Sequence, residues 1–134
     1  MIITREIRAQ LDELHVTKAS ALAGEIADEH GQDDKGPTTQ VGKAAKVAET
    51  CGSMVVFEQW LTYQAGRGVA PWKKRTGNTL LVDRVLQHQR DIAERLERIA
   101  AAYPPDTRKK LAAGEMARFL GFLRRALIAR KAGG

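Results

Sequence analysis

Apolar residues recur at three- and four-residue intervals along most of the chain, and this spacing limits the fold more than any other feature of the sequence. Ile7, Leu11, Leu14, Leu22 and Ile26 follow Thr4, a suitable N-cap, with Lys18 standing where the series would take an apolar residue. A stop near His30-Gly31 precedes the polar loop Gln32-Asp33-Asp34-Lys35-Gly36-Pro37. Thr38 or Thr39 then opens a second stripe of Ala44, Val47, Ala48, Cys51, Met54 and Val55, continuing to Trp60 and Leu61. Gly52-Ser53 is its weak point, either a kink or a site of close helix approach. Met54-Val55-Val56-Phe57 has the composition of a strand, but the surrounding period and the lack of a partner strand assign it to the helix.

From Gly66 to Gly77 the chain reads as an irregular basic loop, punctuated by glycines and Pro71. Asn78 caps a third helix whose face is Leu81, Val85, Gln89, Ile92, Leu96 and Ile99, widened by Val82 and Leu86. Tyr103-Pro104-Pro105 ends it, because the residue before a proline is driven out of the α region. Asp106 or Thr107 starts a fourth, with Leu111, Met116, Phe119, Leu120, Leu123, Ala126 and Leu127 facing inward. Gly114 and Gly121 read as points of close packing, and Lys131 to Gly134 as a fraying tail. The expected fold is all-α: one domain over 1–134, a mainly antiparallel bundle of four long helices with a basic Gly/Pro loop between the second and third.

Charge is distributed unevenly. Residues 1–62 hold six basic and ten acidic side chains, a net of −4; with 22 basic and 16 acidic in the whole chain, residues 63–134 keep 16 and six, a net of +10. If consecutive helices are neighbours, the two halves become two opposite faces. Nucleic acid is the commonest polyanionic partner of a small basic protein; a solvated bundle with a basic face is the competing explanation. A single cysteine, Cys51, excludes an intrachain disulfide and favours a reducing, cytoplasmic setting. Early charge at Arg5 and Glu6 and the absence of a long apolar run argue against a secretory leader and a membrane span.

Catalytic chemistry is hard to assemble from these residues. His15, His30 and His88 are scattered, and Glu25, Asp28 and Glu29 beside His30 read as a solvated acidic helix end. Cys51 lies on an apolar stripe as a small core residue. There is no phosphate-binding loop, dinucleotide fingerprint or nucleophile elbow. The expectation is a protein with no catalytic residues, no metal and no cofactor.

The cations offer more. Trp72-Lys73-Lys74-Arg75, with Arg67 nearby, combines phosphate-pairing groups with a ring that either stacks on an unpaired base or tucks onto the bundle end. The last helix adds Arg108-Lys109-Lys110, Arg118, Arg124-Arg125, Arg130 and Lys131, of which Arg118 and Arg125, with Arg108, Lys110 and Lys131, recur at helical spacing as a stripe away from the Phe119/Leu123 face. Interaction with the helix dipole is the rival explanation for the later ones. The helices are too long, and the last too apolar, for a helix-turn-helix reader, so binding to the backbone without sequence choice is expected.

The stretches Asp106 to Leu111 and Phe119-Leu120-Gly121-Phe122-Leu123-Arg124-Arg125-Ala126-Leu127 resemble the last helix of CRISPR effector small subunits, the all-helical belly proteins of multisubunit RNA-guided complexes. Cys51 to Met54 and Phe57 to Leu61, followed by a basic loop, are similar in layout. The resemblance covers about the last two thirds of the chain, and both type III and type IV systems fit it. It implies a non-catalytic subunit that contacts guide RNA and target nucleic acid and touches backbone subunits and neighbouring small subunits. Such a subunit stabilises the guide–target duplex or the displaced strand. Lys73, Lys74, Arg75, Arg118 and Arg125 would serve by charge. The alternatives are a stand-alone helical DNA- or RNA-binding regulator and a partner-binding adaptor bundle.

Overall fold

The first helix, α1 (Arg5–His30), starts where the spacing predicts, the Thr4 hydroxyl accepting a hydrogen bond from the Ile7 N–H at 3.2 Å. The computed structural model describes residues 3–30, 36–76 and 78–133, with side chains up to 28 in α1 and up to 130 in the last helix. The expected stop at Gly31, the Gln32-Asp33-Asp34-Lys35 loop, Gly77, and the side chains of Glu29, His30 and Lys131 lie outside the described residues.

The second helix, α2 (Gly36–Cys51), begins before Thr38 and carries Pro37 in its first turn, where a missing N–H costs nothing. It does not continue to Leu61. Gly52 takes φ +63°, a conformation that strains any residue with a Cβ, and so ends the helix. Extended Ser53 then caps α3 (Met54–Gly66), its side chain accepting from the Val56 N–H at 3.3 Å. The single second helix of the sequence reading is therefore two, and the described residues form five helices where four are expected.

The loop after α3 is not wholly irregular either. Arg75–Thr76 (β1) and Thr79–Leu80 (β2) form a short antiparallel pair, with Asn78 in its turn and not at a helix cap. Helix α4 (Leu81–Ile99) has no side-chain cap because the loop supplies its acceptors: Leu81 N–H donates to the Lys74 carbonyl at 2.9 Å and Val82 N–H to that of Trp72 at 3.0 Å. Helix α5 (Pro105–Gly133) starts one residue earlier than expected and stays helical past Lys131, where the sequence predicts fraying.

Helix α5 organises the core. Ala112, Met116, Phe119, Leu120, Leu123 and Leu127 are buried, and Leu111, Phe122 and Ala126 are half-buried beside them. An apolar arc this wide can meet two helices at once, and α5 lies against both α1 and α2. Helix α5, from the basic half of the chain, thus packs against two helices of the acidic half. Gly114 is exposed, and a Cβ added there would meet nothing within 4 Å, so it serves no close packing; a Cβ at Gly121 would have only the Arg125 guanidinium nearby, at 3.7 Å. Among the described residues no helix is long and apolar enough to cross a membrane.

Candidate nucleic-acid interface

The cations single out two kinds of position, and a buried polar network separates them. His15 and His88 are fully buried and meet at 3.0 Å, His15 Nδ1 against His88 Nε2. The other His15 nitrogen, Nε2, lies 3.0 Å from Glu115 Oε1. Arg8 grips both Glu115 oxygens, at 2.8 Å to Oε2 and more closely to Oε1, and donates to Asp12 at 3.0 Å. Arg118 closes the other side with two bonds to Asp12, at 2.6 and 2.9 Å. The two guanidiniums and two carboxylates balance, which makes their partial burial tolerable.

Burial alone would raise the Glu115 carboxyl, but hydrogen bonds from His15 and Arg8 outweigh it and hold it below the usual carboxylate range. An ionised Glu115 only accepts, so His15 Nε2 donates to it, and the His15 Nδ1–His88 Nε2 hydrogen bond takes its direction from the tautomers of the two rings. His88 Nδ1 is left buried without a partner, its ring stacked 3.9 Å from that of Phe119. Burial, with His15 and Lys18 as secondary causes, drives the His88 imidazole down to about 3, so it stays neutral. Three residues 73 and 100 positions apart thus lock α1, α4 and α5 together. The sequence reading found the histidines scattered; only the fold brings two of them into contact.

This network removes Arg118 from the expected cation stripe. Its guanidinium is engaged bidentately by Asp12, which accepts those hydrogen bonds strongly enough to sit at about 2 against an ordinary 3.8. Trp72 is corrected more sharply. Its side chain is fully buried as part of the hydrophobic core, so it anchors the loop and presents no ring to a base. The remaining expected residues stay at the surface. Lys73 and Lys74 are exposed, with no carboxylate partner among the described residues, and Arg75 donates only to the Asn78 carbonyl at 3.3 Å. Arg67 lies over the exposed Tyr63 ring at 5.5 Å, and Arg125 over Phe122 at 4.7 Å.

Arg124 is the member of the set with the most distinctive surroundings. Its side chain crosses α2 at Gly42, where a Cβ would stand 3.1 Å from Nε and 3.3 Å from Cδ. Beyond it opens a shallow basin of about 750 Å³ whose lining includes Lys43, Lys46, Arg124 and the half-buried Trp60, and no carboxylate among the described residues. Cations around an accessible indole are the combination that pairs with phosphates and stacks on a base. The sequence reading treated Trp60 as core and did not weigh Lys43 or Lys46. The available signal was Gly42 followed by lysines one and four residues later, a small residue at the foot of a basic helix face.

Among the described residues no group of three or more His, Cys, Asp or Glu side chains converges as a metal site. Glu25, from the acidic helix end, instead pairs with Arg84 at 2.7 Å, and Asp28 is exposed. Cys51 is half-buried, its thiol directed to the Ser53 carbonyl at 3.3 Å. Comparison with known protein families, with curated proteins and with solved structures finds no match to this chain.

Proposed function

We propose that this protein binds the sugar-phosphate backbone of nucleic acid without reading its sequence, and that it does so as a non-catalytic small subunit of a CRISPR RNA-guided effector complex in the cytoplasm. The observation that carries the binding is the basin around Trp60, lined by Lys43, Lys46 and Arg124 with no carboxylate among the described residues. Exposed Lys73, Lys74 and Arg75 extend the cationic surface in the same chemical sense. No helix enters this reading as a groove reader, so base identity is not sensed. The likeness of Phe119 to Leu127 and of the Cys51–Leu61 region to small subunits supplies the assembly part, with guide RNA, target strand and backbone subunits as partners. In this reading the long helices run mainly antiparallel and present their cations along one side of the assembled complex.

The test uses the intact protein with fluorescein-labelled oligo-dT and a mixed-sequence RNA of the same length. Both bind with similar affinity, and the logarithmic salt slope falls by roughly 0.7 for each phosphate contact removed in Lys43→Glu and Lys46→Glu. Trp72 is buried, so any quenching of tryptophan emission by oligo-dT reports Trp60. Trp60→Ala weakens binding about tenfold, within the range for one stacked base. Salt-independent binding, a strong sequence preference, or full affinity in Trp60→Ala overturns the proposal. Membership of the complex is checked by whether neighbouring genes encode repeat-RNA-binding backbone subunits.

A further inference from the structure

A second concave surface differs in chemistry from the Trp60 basin. It is a groove of about 440 Å³ between the start of α3, the later part of α4 and the start of α5. Its floor is aliphatic: Met54, Val55 and Leu96, with no aromatic ring in the lining. Val55 is 78% exposed, and Val56 and Tyr63 are exposed further along the same helix. Helix α3 has a single charged residue, Glu58, and carries apolar side chains on its outer face as well as its inner one. A helix apolar on both sides is the pattern of a covered element.

Around this floor stand Arg90, Lys109 and Lys110 against one acid among the described residues, Glu97. Arg108 adds its charge at the same mouth while donating to the Tyr103 carbonyl. Lys109 and Lys110 have no carboxylate partner among the described residues, so their charge is available. The occupant must therefore offer apolar side chains to Val55 and Met54 and anions to the rim. Unpaired nucleic acid meets the second condition but finds no ring to stack on.

We propose that this groove docks an acidic peptide segment of a partner protein, an amphipathic stretch whose aliphatic residues sit on Met54 and Val55 and whose carboxylates pair with Lys109, Lys110 and Arg90. This is the helix-in-groove mode with an electrostatic rim. It uses a surface distinct from the Trp60 basin and stands whether or not that basin binds nucleic acid.

The probe is a fluorescein-labelled helical peptide with leucines at every third or fourth position and Asp or Glu elsewhere, titrated with the full chain. Binding is expected, weakened about tenfold or more by Lys109→Glu with Lys110→Glu, and to a similar degree by Val55→Asp, which lies at an exposed position and leaves helicity unchanged. Replacing the leucines by serine removes binding, as does replacing the acids by Asn and Gln. Trp60→Ala leaves peptide affinity unaltered. Three outcomes overturn the proposal: no binding, binding unaffected by Val55→Asp, or displacement of the peptide by oligo-dT that persists in Trp60→Ala, which would make the groove a nucleic-acid site.

Discussion

Replacing Glu115 by alanine tests whether the buried network holds the three long helices in register. Glu115 is 4% exposed and takes two hydrogen bonds from Arg8 and one from His15. Truncation strands the His15 Nε2–H in the core, a loss of about 1–3 kcal/mol, because His15 has no exposed surface through which water could replace the bond. Breaking the ion pair adds to this, at the lower end of about 3–5 kcal/mol, since the Arg8 side chain retains 28% exposure and can rehydrate. The two contributions overlap in His15 and Arg8, so the expected loss is about 3 kcal/mol, or roughly 10 °C in Tm for a domain of this size. Glu115→Gln keeps an acceptor for His15 and should lose about half as much. Urea unfolding of wild type, Arg8→Ala, Glu115→Ala and the double variant measures the coupling. The double variant should be scarcely less stable than Glu115→Ala alone. A two-state loss below about 1 kcal/mol for Glu115→Ala would refute the reasoning and make the network no stronger than a surface pair.

Stability should also fall with acid in a defined window. The depressed His88 imidazole stays neutral in the fold while the unfolded chain takes up a proton below about 6.5, so stability present above that pH drains as it falls toward 3, by up to about 1.4 kcal/mol per unit. Asp12, held at about 2, adds a further loss between about 4 and 2. Urea midpoints measured from neutral pH downward should show the slope, and His88→Gln should flatten its upper part; a flat wild-type profile above pH 4 would contradict the burial argument. Gly42→Ala should raise Tm by a few degrees, up to about 1 kcal/mol from helix propensity, because exposed Arg124 can yield the few tenths of an ångström required. The same substitution should weaken oligo-dT binding about two- to threefold as Arg124 is pushed off α2, whereas equal affinity would separate Gly42 from the site.

Helix type and most of the core were legible in the sequence because a 3.6-residue period survives without any tertiary information. Leu11, Leu22, Ile26, Ile92, Leu96, Phe119, Leu120 and Leu123 are buried as their spacing requires. Boundaries were less legible where backbone groups act as caps. Gly52-Ser53 was visible as a weak point, but kink and full break differ only in whether Gly52 adopts positive φ. The start of α4 could not be read from Asn78, since its acceptors are carbonyls of Trp72 and Lys74, which every residue carries. The surroundings of the two tryptophans were less legible. Trp72 and Trp60 are both tryptophans near lysines, and the loop around Trp72 looked the more exposed; hydrogen bonds from Leu81 and Val82 back to that loop fold it onto the core and bury the ring. Pairing of His15 with His88 spans 73 residues and carries no local signal at all.

The same long-range placement decides what each cation of α5 does. Helix α5 has acidic-half helices on both sides, and the residue opposite each cation fixes its role. Opposite Arg118 stands Asp12, at 2.6 Å, and the guanidinium becomes part of the structure. Opposite Arg124 stands Gly42, and opposite Arg130 stands Gly24, where a Cβ would be 2.8 Å from Nη2. A glycine offers a path across the neighbouring helix and no charge to stop the side chain, so the cation lies over the helix with its valence unspent. Two of the cations of α5, Arg124 and Arg130, thus meet a glycine of the acidic half where Arg118 meets a carboxylate. Net charge by halves could not reveal this, because it counts Arg118 and Arg124 alike; a residue-by-residue pairing across α5 separates a cation held by Asp12 from one that lies over a glycine.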